Sequence, residues 1–265
     1  RARLVGSEMC IRDRLKMATT DISIISNNIA NSGSTGFKRS DGNFLHSYAE
    51  EIPIPGLNVG FGVVHEEPRR QDHKQGSLRV TNNSLDLAIN GGGMFVALKP
   101  DDGEVTFSRD GSFLVDLVGN LVTTDNRRVI GADGEQIVIP PSKLDAAGNE
   151  TLLDVINISN TGRIQLTYGD GEMLDAGTLA LAHFANSGGL KPVGGSYFKA
   201  TEKSGPAILG SPTQQNFGEI VQGHLEMSNT NVANELTKLM VSQQAFSASS
   251  RLMQSAIESE KRLLG

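Results

Sequence analysis

The chain has 265 residues, 38% of them hydrophobic and 20% charged, with 24 Lys plus Arg against 30 Asp plus Glu and a formal net charge of −6. That composition belongs to a globular chain able to bury a core, and its acidic balance speaks against nucleic acid as a partner. A single cysteine, Cys10, excludes an internal disulfide and a multi-thiolate metal site, and no apolar run is long enough for membrane insertion.

Residues 1–14 stand apart. The run from Leu4 to Asp13 is similar to the translation of a DNA-sequencing adaptor, so this segment is read as a non-native extension and the native start is expected to be missing. From Leu15 the apolar positions Leu15, Ala18, Ile22, Ile25 and Ile29 alternate steps of three and four, which places them on one helix face. The opposite face is Ser, Thr, Asp and Asn, residues that compete with the helix backbone for hydrogen bonds, so packing must supply the stability. The helix is expected to stop among Asn31, Ser32, Gly33 and Gly36. Pro53 and Pro55 then argue for extended or irregular chain, a surface excursion between about 40 and 60.

The middle is punctuated by Gly and Asp-Gly into short runs. Strands are predicted at 62–66, 77–80, 94–98, 106–108, 113–116, 120–123, 136–139, 154–158, 163–168, 178–184 and 197–200. Asp102-Gly103, Asp110-Gly111, Asp133-Gly134 and Asp170-Gly171 read as tight turns in which Gly supplies a positive φ. This pattern disfavours a doubly wound nucleotide-binding sheet. The stretch 201–217 reads as a loop returning the chain to its last helix.

That helix is the strongest predicted element. Val232, Leu236, Leu239, Phe246, Met253, Ile257 and Leu264 fall on one seam of alternating four- and three-residue steps, interrupted by Gln243, Ser250 and Glu260. Ser228, Asn229 or Asn231 is placed to cap its start, and Lys261 and Arg262 suit the negative end of its dipole. Each seam is too small to make a core alone, so the two are expected to meet each other or those of neighbouring subunits. The expected fold class is mainly β with paired N- and C-terminal α-helices. Residues 15–36 with 222–265 form a discontinuous, coiled-coil-like helical assembly domain, and 37–221 form a β-rich outer domain.

No catalytic constellation is legible. Gly91-Gly92-Gly93 lacks both the G-x-G-x-x-G pattern and a following Lys-Ser or Lys-Thr, so it reads as a turn that lets two backbones approach. The histidines at 46, 65, 73, 183 and 224 have no metal-ligand spacing, no G-x-S-x-G elbow occurs, and no cofactor is expected.

Four segments carry a resemblance. Asn27-Asn28-Ile29-Ala30-Asn31 with Thr35-Gly36-Phe37-Lys38, Gly76-Ser77-Leu78 with the stretch from Asn83 to Val96, Ser108 to Phe113, and Gly223-His224-Leu225-Glu226-Met227-Ser228-Asn229 resemble, in order, the motifs of the bacterial flagellar rod and hook proteins. The resemblance implies a non-catalytic axial subunit, exported through the flagellar type III apparatus and stacked helically into a tube. Its partners would be copies of itself, other rod and hook proteins and basal-body ring proteins. It also implies that the terminal helices pair as an inner layer, with Leu15, Ile22, Ile25, Ile29 and the last-helix seam as interface. Length and the compact middle favour the distal rod, in the basal body. A shorter stretch between Phe44 and Gly62, and the hook-like run from Leu181 to Asn186 with Gly189-Leu190, keep a hook subunit as the alternative. The alternative from another class is an extracellular β-rich carbohydrate-binding module, which would be a well-behaved monomer with a saturable ligand.

Overall fold

The computed structural model describes residues 2–42, 44–47, 62–65, 70–100, 102–144, 150–214 and 216–264. The chain is mainly β with a helix near each end, α1 (Ala2–Ala30) and α2 (Val232–Leu264). It divides into two units, one of Arg1–Ser32, Arg39–Asp72 and Thr230–Gly265, the other of Gly33–Lys38 and His73–Asn229. The expected boundaries at 36 and 222 therefore do not coincide with these. Segment Gly33–Lys38 goes with the strands because Thr35 bridges Met227, and Ser40–Asp41 goes with the helices, paired antiparallel with Arg70–Gln71.

In the first unit α1 begins inside the segment read as non-native, where Ala, Arg, Leu, Glu and Met are good helix formers that extend an existing helix at little cost. Among the α1 residues whose side chains are described, Ala18, Ile24, Ile25 and Asn28 are buried and Leu15, Ile22 and Ile29 half-buried, so the buried stripe includes Ile24 and Asn28 beyond the predicted row. On α2 the difference is larger. Glu235 and Ser249 are buried and Leu239, Ser242, Met253 and Ala256 half-buried, whereas Val232, Leu236, Phe246 and Ile257 are exposed. One row of the predicted seam is displaced by a single residue, about 100° of rotation, which turns small polar residues inward. The side chain of Leu264 lies outside the described residues. Asn231 is the N-cap, its Oδ1 accepting from Asn234 N–H at 3.2 Å.

The second unit is built of antiparallel sheets. In the largest, Lys191–Gly194, Tyr197–Lys199, Val105–Ser108, Met94–Leu98, Arg128–Val129, Leu121–Thr123 and Phe113–Val115 follow one another, and Leu181–His183 pairs both Met94–Leu98 and Ile208–Gly210. A second sheet orders Ser142–Leu144, Glu150–Ile158, Arg163–Tyr168 and Met173–Thr178. Leu87–Asn90 pairs Glu219–Gln222, and Leu78–Val80 pairs His224–Glu226. The unbroken apolar run Met94 to Ala97 follows from burial on both faces. Phe95 packs with Phe113, Leu121, Ile164 and Leu181, while Met94 and Val96 pack with Phe107, Phe184 and Phe198.

Several predicted strands changed. Residues 136–139 make only isolated bridges at Gln136 and Val138, and the run 178–184 is split between Met173–Thr178 and Leu181–His183. Ile208–Gly210 is a strand inside the expected loop. Of the expected excursion, residue 43 and residues 48–61 lie outside the described residues. Gly103, Gly134 and Gly171 have φ of +63°, +79° and +81°, as turn glycines should. Gly111 is different. Its φ is not positive, and a Cβ there would lie 1.9 Å from the Leu87 carbonyl oxygen, so it is a close-approach glycine.

Candidate functional site

The motif residues converge on two buried polar joints, one in each unit. In the second unit, Lys38 and Glu226, 188 positions apart, form an ion pair of 2.6 Å with no exposed side-chain surface on either partner. Lys38 Nζ also donates to the Lys74 carbonyl at 2.7 Å. The same Glu226 oxygen, Oε1, accepts from Gly76 N–H at 2.8 Å, and its Oε2 faces Arg109 at 3.3 Å. Arg109 donates onward to the carbonyl of Gly91 at 2.8 Å. Burial lowers the Arg109 pKa from its ordinary value, and the Glu226 charge beside it acts in the opposite sense.

Backbone contacts close the joint around these charges. Gly36 N–H donates to the Glu226 carbonyl at 2.8 Å, Ser228 N–H to Ser34 at 3.1 Å and Met227 N–H to Ser77 at 2.9 Å. The chain at Glu226 to Ser228 is thus held between two others, which explains Gly76, and the close approach of the Asp110 backbone explains Gly36. Gly36 has φ +64°, and a Cβ there would lie 2.3 Å from Asp110 N; at Gly76 it would lie 1.9 Å from the Met227 carbonyl oxygen. Buried Ser228 and half-buried Asn229 sit on the same stretch, Asn229 donating to the Lys74 carbonyl at 3.0 Å. Thr35 O accepts from Ser196 Oγ at 3.2 Å, and Phe37 is half-buried.

In the first unit the joint is Asn28. Its Oδ1 accepts from Ser40 N–H at 3.0 Å while its Nδ2 donates to the Ser40 carbonyl at 2.9 Å and to Glu235 Oε2 at 3.0 Å. The side-chain amide imitates a strand partner for Ser40, and it ties the C-terminal end of α1 to the first turn of α2. Glu235 is also within 3.2 Å of Lys238 and 3.5 Å of Arg39, and as an acid in the first turn it suits the helix dipole. Asn31 donates to the Asn27 carbonyl at 2.9 Å, closing the helix end, and Asn27 itself is exposed.

Sequence reading missed Arg109 and Glu235 as members of these joints. Arg109 stands in one of the quoted motifs, and a lone charge beside strand residues is the signal it offered. Glu235 has an ordinary explanation as a first-turn acid, which hides its second role. At Gly91-Gly92 the backbones do approach: a Cβ would meet Gly218 Cα at 2.9 Å and Asn216 O at 2.7 Å. Among the described residues no group of three or more His, Cys, Asp or Glu is placed to hold a metal ion, and no helix is long and apolar enough to cross a membrane.

Both joints hold chain segments to each other within a fold of mainly β type with a helix near each end. Residues 88–166 match the family described as the flagellar hook protein FlgE/F/G D1 domain, and residues 221–265 match the flagellar basal body rod FlgEFG protein C-terminal family. The chain is 34% identical over 253 residues to the flagellar basal-body rod protein FlgG of Agrobacterium fabrum, covering 90% of each. It is 30% identical to the protein of the same name from Bacillus subtilis, covering 92% of each. A crystal structure of the Helicobacter pylori flagellar hook protein FlgE2 matches at a TM-score of 0.27 and 17% identity, over 49% of this chain and 32% of that one, too distant to bear on topology. The chain belongs to the flagellar rod and hook protein family.

Proposed function

We infer that this chain is a structural axial subunit of the bacterial flagellum, built into the rod of the basal body that carries torque from motor to hook. The observation that carries this is the collinear match over about nine-tenths of both chains to relatives bearing the rod name. A match over so much of both chains favours the distal rod over the hook. The role is mechanical and non-catalytic.

Assembly would use the apolar residues that α2 leaves outside. Val232, Leu236, Phe246 and Ile257 are exposed, joined by Met240 and Leu252. On this reading they form coiled-coil-like contacts with helices of neighbouring copies, and Leu15, Ile22, Ile25, Ile29, Leu239 and Met253 hold the helices of one copy together. Contacts between unlike faces propagate as a helix instead of closing into a dimer. Helices completed only by neighbours also suit export through the type III apparatus with the ends unfolded, their ordering coupled to docking on other rod and hook subunits.

Electron microscopy of the purified chain at rising concentration tests this. Rods or tubes of uniform width are expected, and a chain that stays monomeric at every concentration overturns the reading.

A further inference from the structure

After α1 the chain enters the second unit for Gly33–Lys38 only and returns to the first at Arg39. Within the second unit this stretch lies against Glu226 to Ser228, which leads on to α2 at Val232. The two are fastened side by side: Thr35 bridges Met227, Gly36 N–H donates to the Glu226 carbonyl, Ser228 N–H to the Ser34 carbonyl, and Lys38 pairs with Glu226. Through this fastening the route from the end of α1 to the start of α2 is about ten residues, 31–35 and 227–231, against about 200 along the chain from Ala30 to Val232.

The entropy of loop closure makes that difference count. The equilibrium for bringing two chain segments together falls as the 3/2 power of the length between them, so a route of about ten residues in place of about 200 favours pairing of α1 with α2 about 100-fold. The helices need that advantage. Among the described residues α2 buries only Glu235 and Ser249, against Ala18, Ile24, Ile25 and Asn28 of α1, a seam poor in apolar surface.

We propose that the Lys38–Glu226 joint is a clasp that makes pairing of the two helices conditional on a folded second unit. Glu226 is positioned by Gly76 N–H, by Arg109 at the end of Val105–Ser108, and by the pairing of its own strand with Leu78–Val80, so the clasp is complete only once those strands are in place. The strands therefore fold first and the helices pair second. A chain whose second unit opens loses the short route, and the helix pair loses its advantage with it. This device acts within a single chain whatever the helices later meet, so it stands apart from the rod reading.

The test places a spacer of about thirty Gly and Ser residues in the full chain at one of two sites: between Gly33 and Ser34, on the short route, or in the exposed turn between Asp170 and Gly171, on the long one. Hydrogen exchange of α1 and α2 is measured at a concentration where sedimentation shows a monomer, with Met94–Leu98 reporting on the second unit. The first spacer lengthens the closing route about fourfold and should speed helix exchange about eightfold, whereas the second lengthens a route that the clasp bypasses and should leave the helices unchanged. Gly36→Val opens the clasp itself, since a Cβ there would lie 2.3 Å from Asp110 N. It should speed helix exchange by up to about 100-fold while Met94–Leu98 stays protected, and the spacer after Gly33 should then add nothing. Equal effects of the two spacers, or none from either, overturn the clasp. Helices that keep their protection in Gly36→Val, or that have none in the unaltered monomer, overturn it as well. Should Gly36→Val unfold the second unit, the helices should lose protection with it, and helices that survive that loss overturn the proposal.

Discussion

In the second unit the strand Met94–Leu98 sends alternate side chains into two core clusters, and its ion pairs are sealed by backbone on several sides. In the first unit α2 turns Ser249 and Glu235 inward and leaves Leu236 and Ile257 about 45% and 43% exposed. The two units therefore hold their stability differently. Strands whose two faces are both covered bring their own core, whereas a helix with apolar residues outward and small polar ones inward gains much less from folding alone.

Breaking the sealed joint should have the largest effect. Glu226→Ala strands Lys38 and Arg109 without their carboxylate and should destabilise the second unit by about 3–5 kcal/mol, read by denaturant unfolding. Near-native unfolding of that variant would mean the ion cluster is incidental. Next comes Gly36→Ala, which places a Cβ against the Asp110 backbone at a positive φ. A loss of about 1–3 kcal/mol is expected, with Gly33→Ala, where nothing lies within 4 Å, as the mild control.

Asn28→Ala tests the joint of the first unit. It removes three hydrogen bonds and leaves Ser40 and Glu235 short of partners, so about 1–3 kcal/mol is expected, confined to the helices. Hydrogen exchange checks this: α1 and α2 should exchange faster in the variant while Met94–Leu98 stays protected. The smallest effect on the isolated chain belongs to the double substitution Leu236→Ser and Ile257→Ser, both exposed. Thermal unfolding should move by no more than about 0.5 kcal/mol equivalent, yet rods should no longer form under the electron microscope. A large loss of monomer stability would show that these residues already serve the single chain, and the contrast between the units would narrow.

The two terminal helices, most strands of the middle and the set of motif residues were legible in the amino-acid order, because these depend on local periodicity and turn chemistry. The 3.5-residue spacing of Leu15 to Ile29 and the Gly-punctuated runs around Met94 and Arg163 are visible without partners. The tertiary structure alone set which face of α2 turns inward, and the inward row is not the most apolar one but the one carrying Glu235, bonded to Asn28. It alone brought Lys38, Gly76, Arg109 and Glu226 to one point. Pairing across 188 positions leaves no local trace, and a buried charge reads in sequence like a surface one until its partner is found.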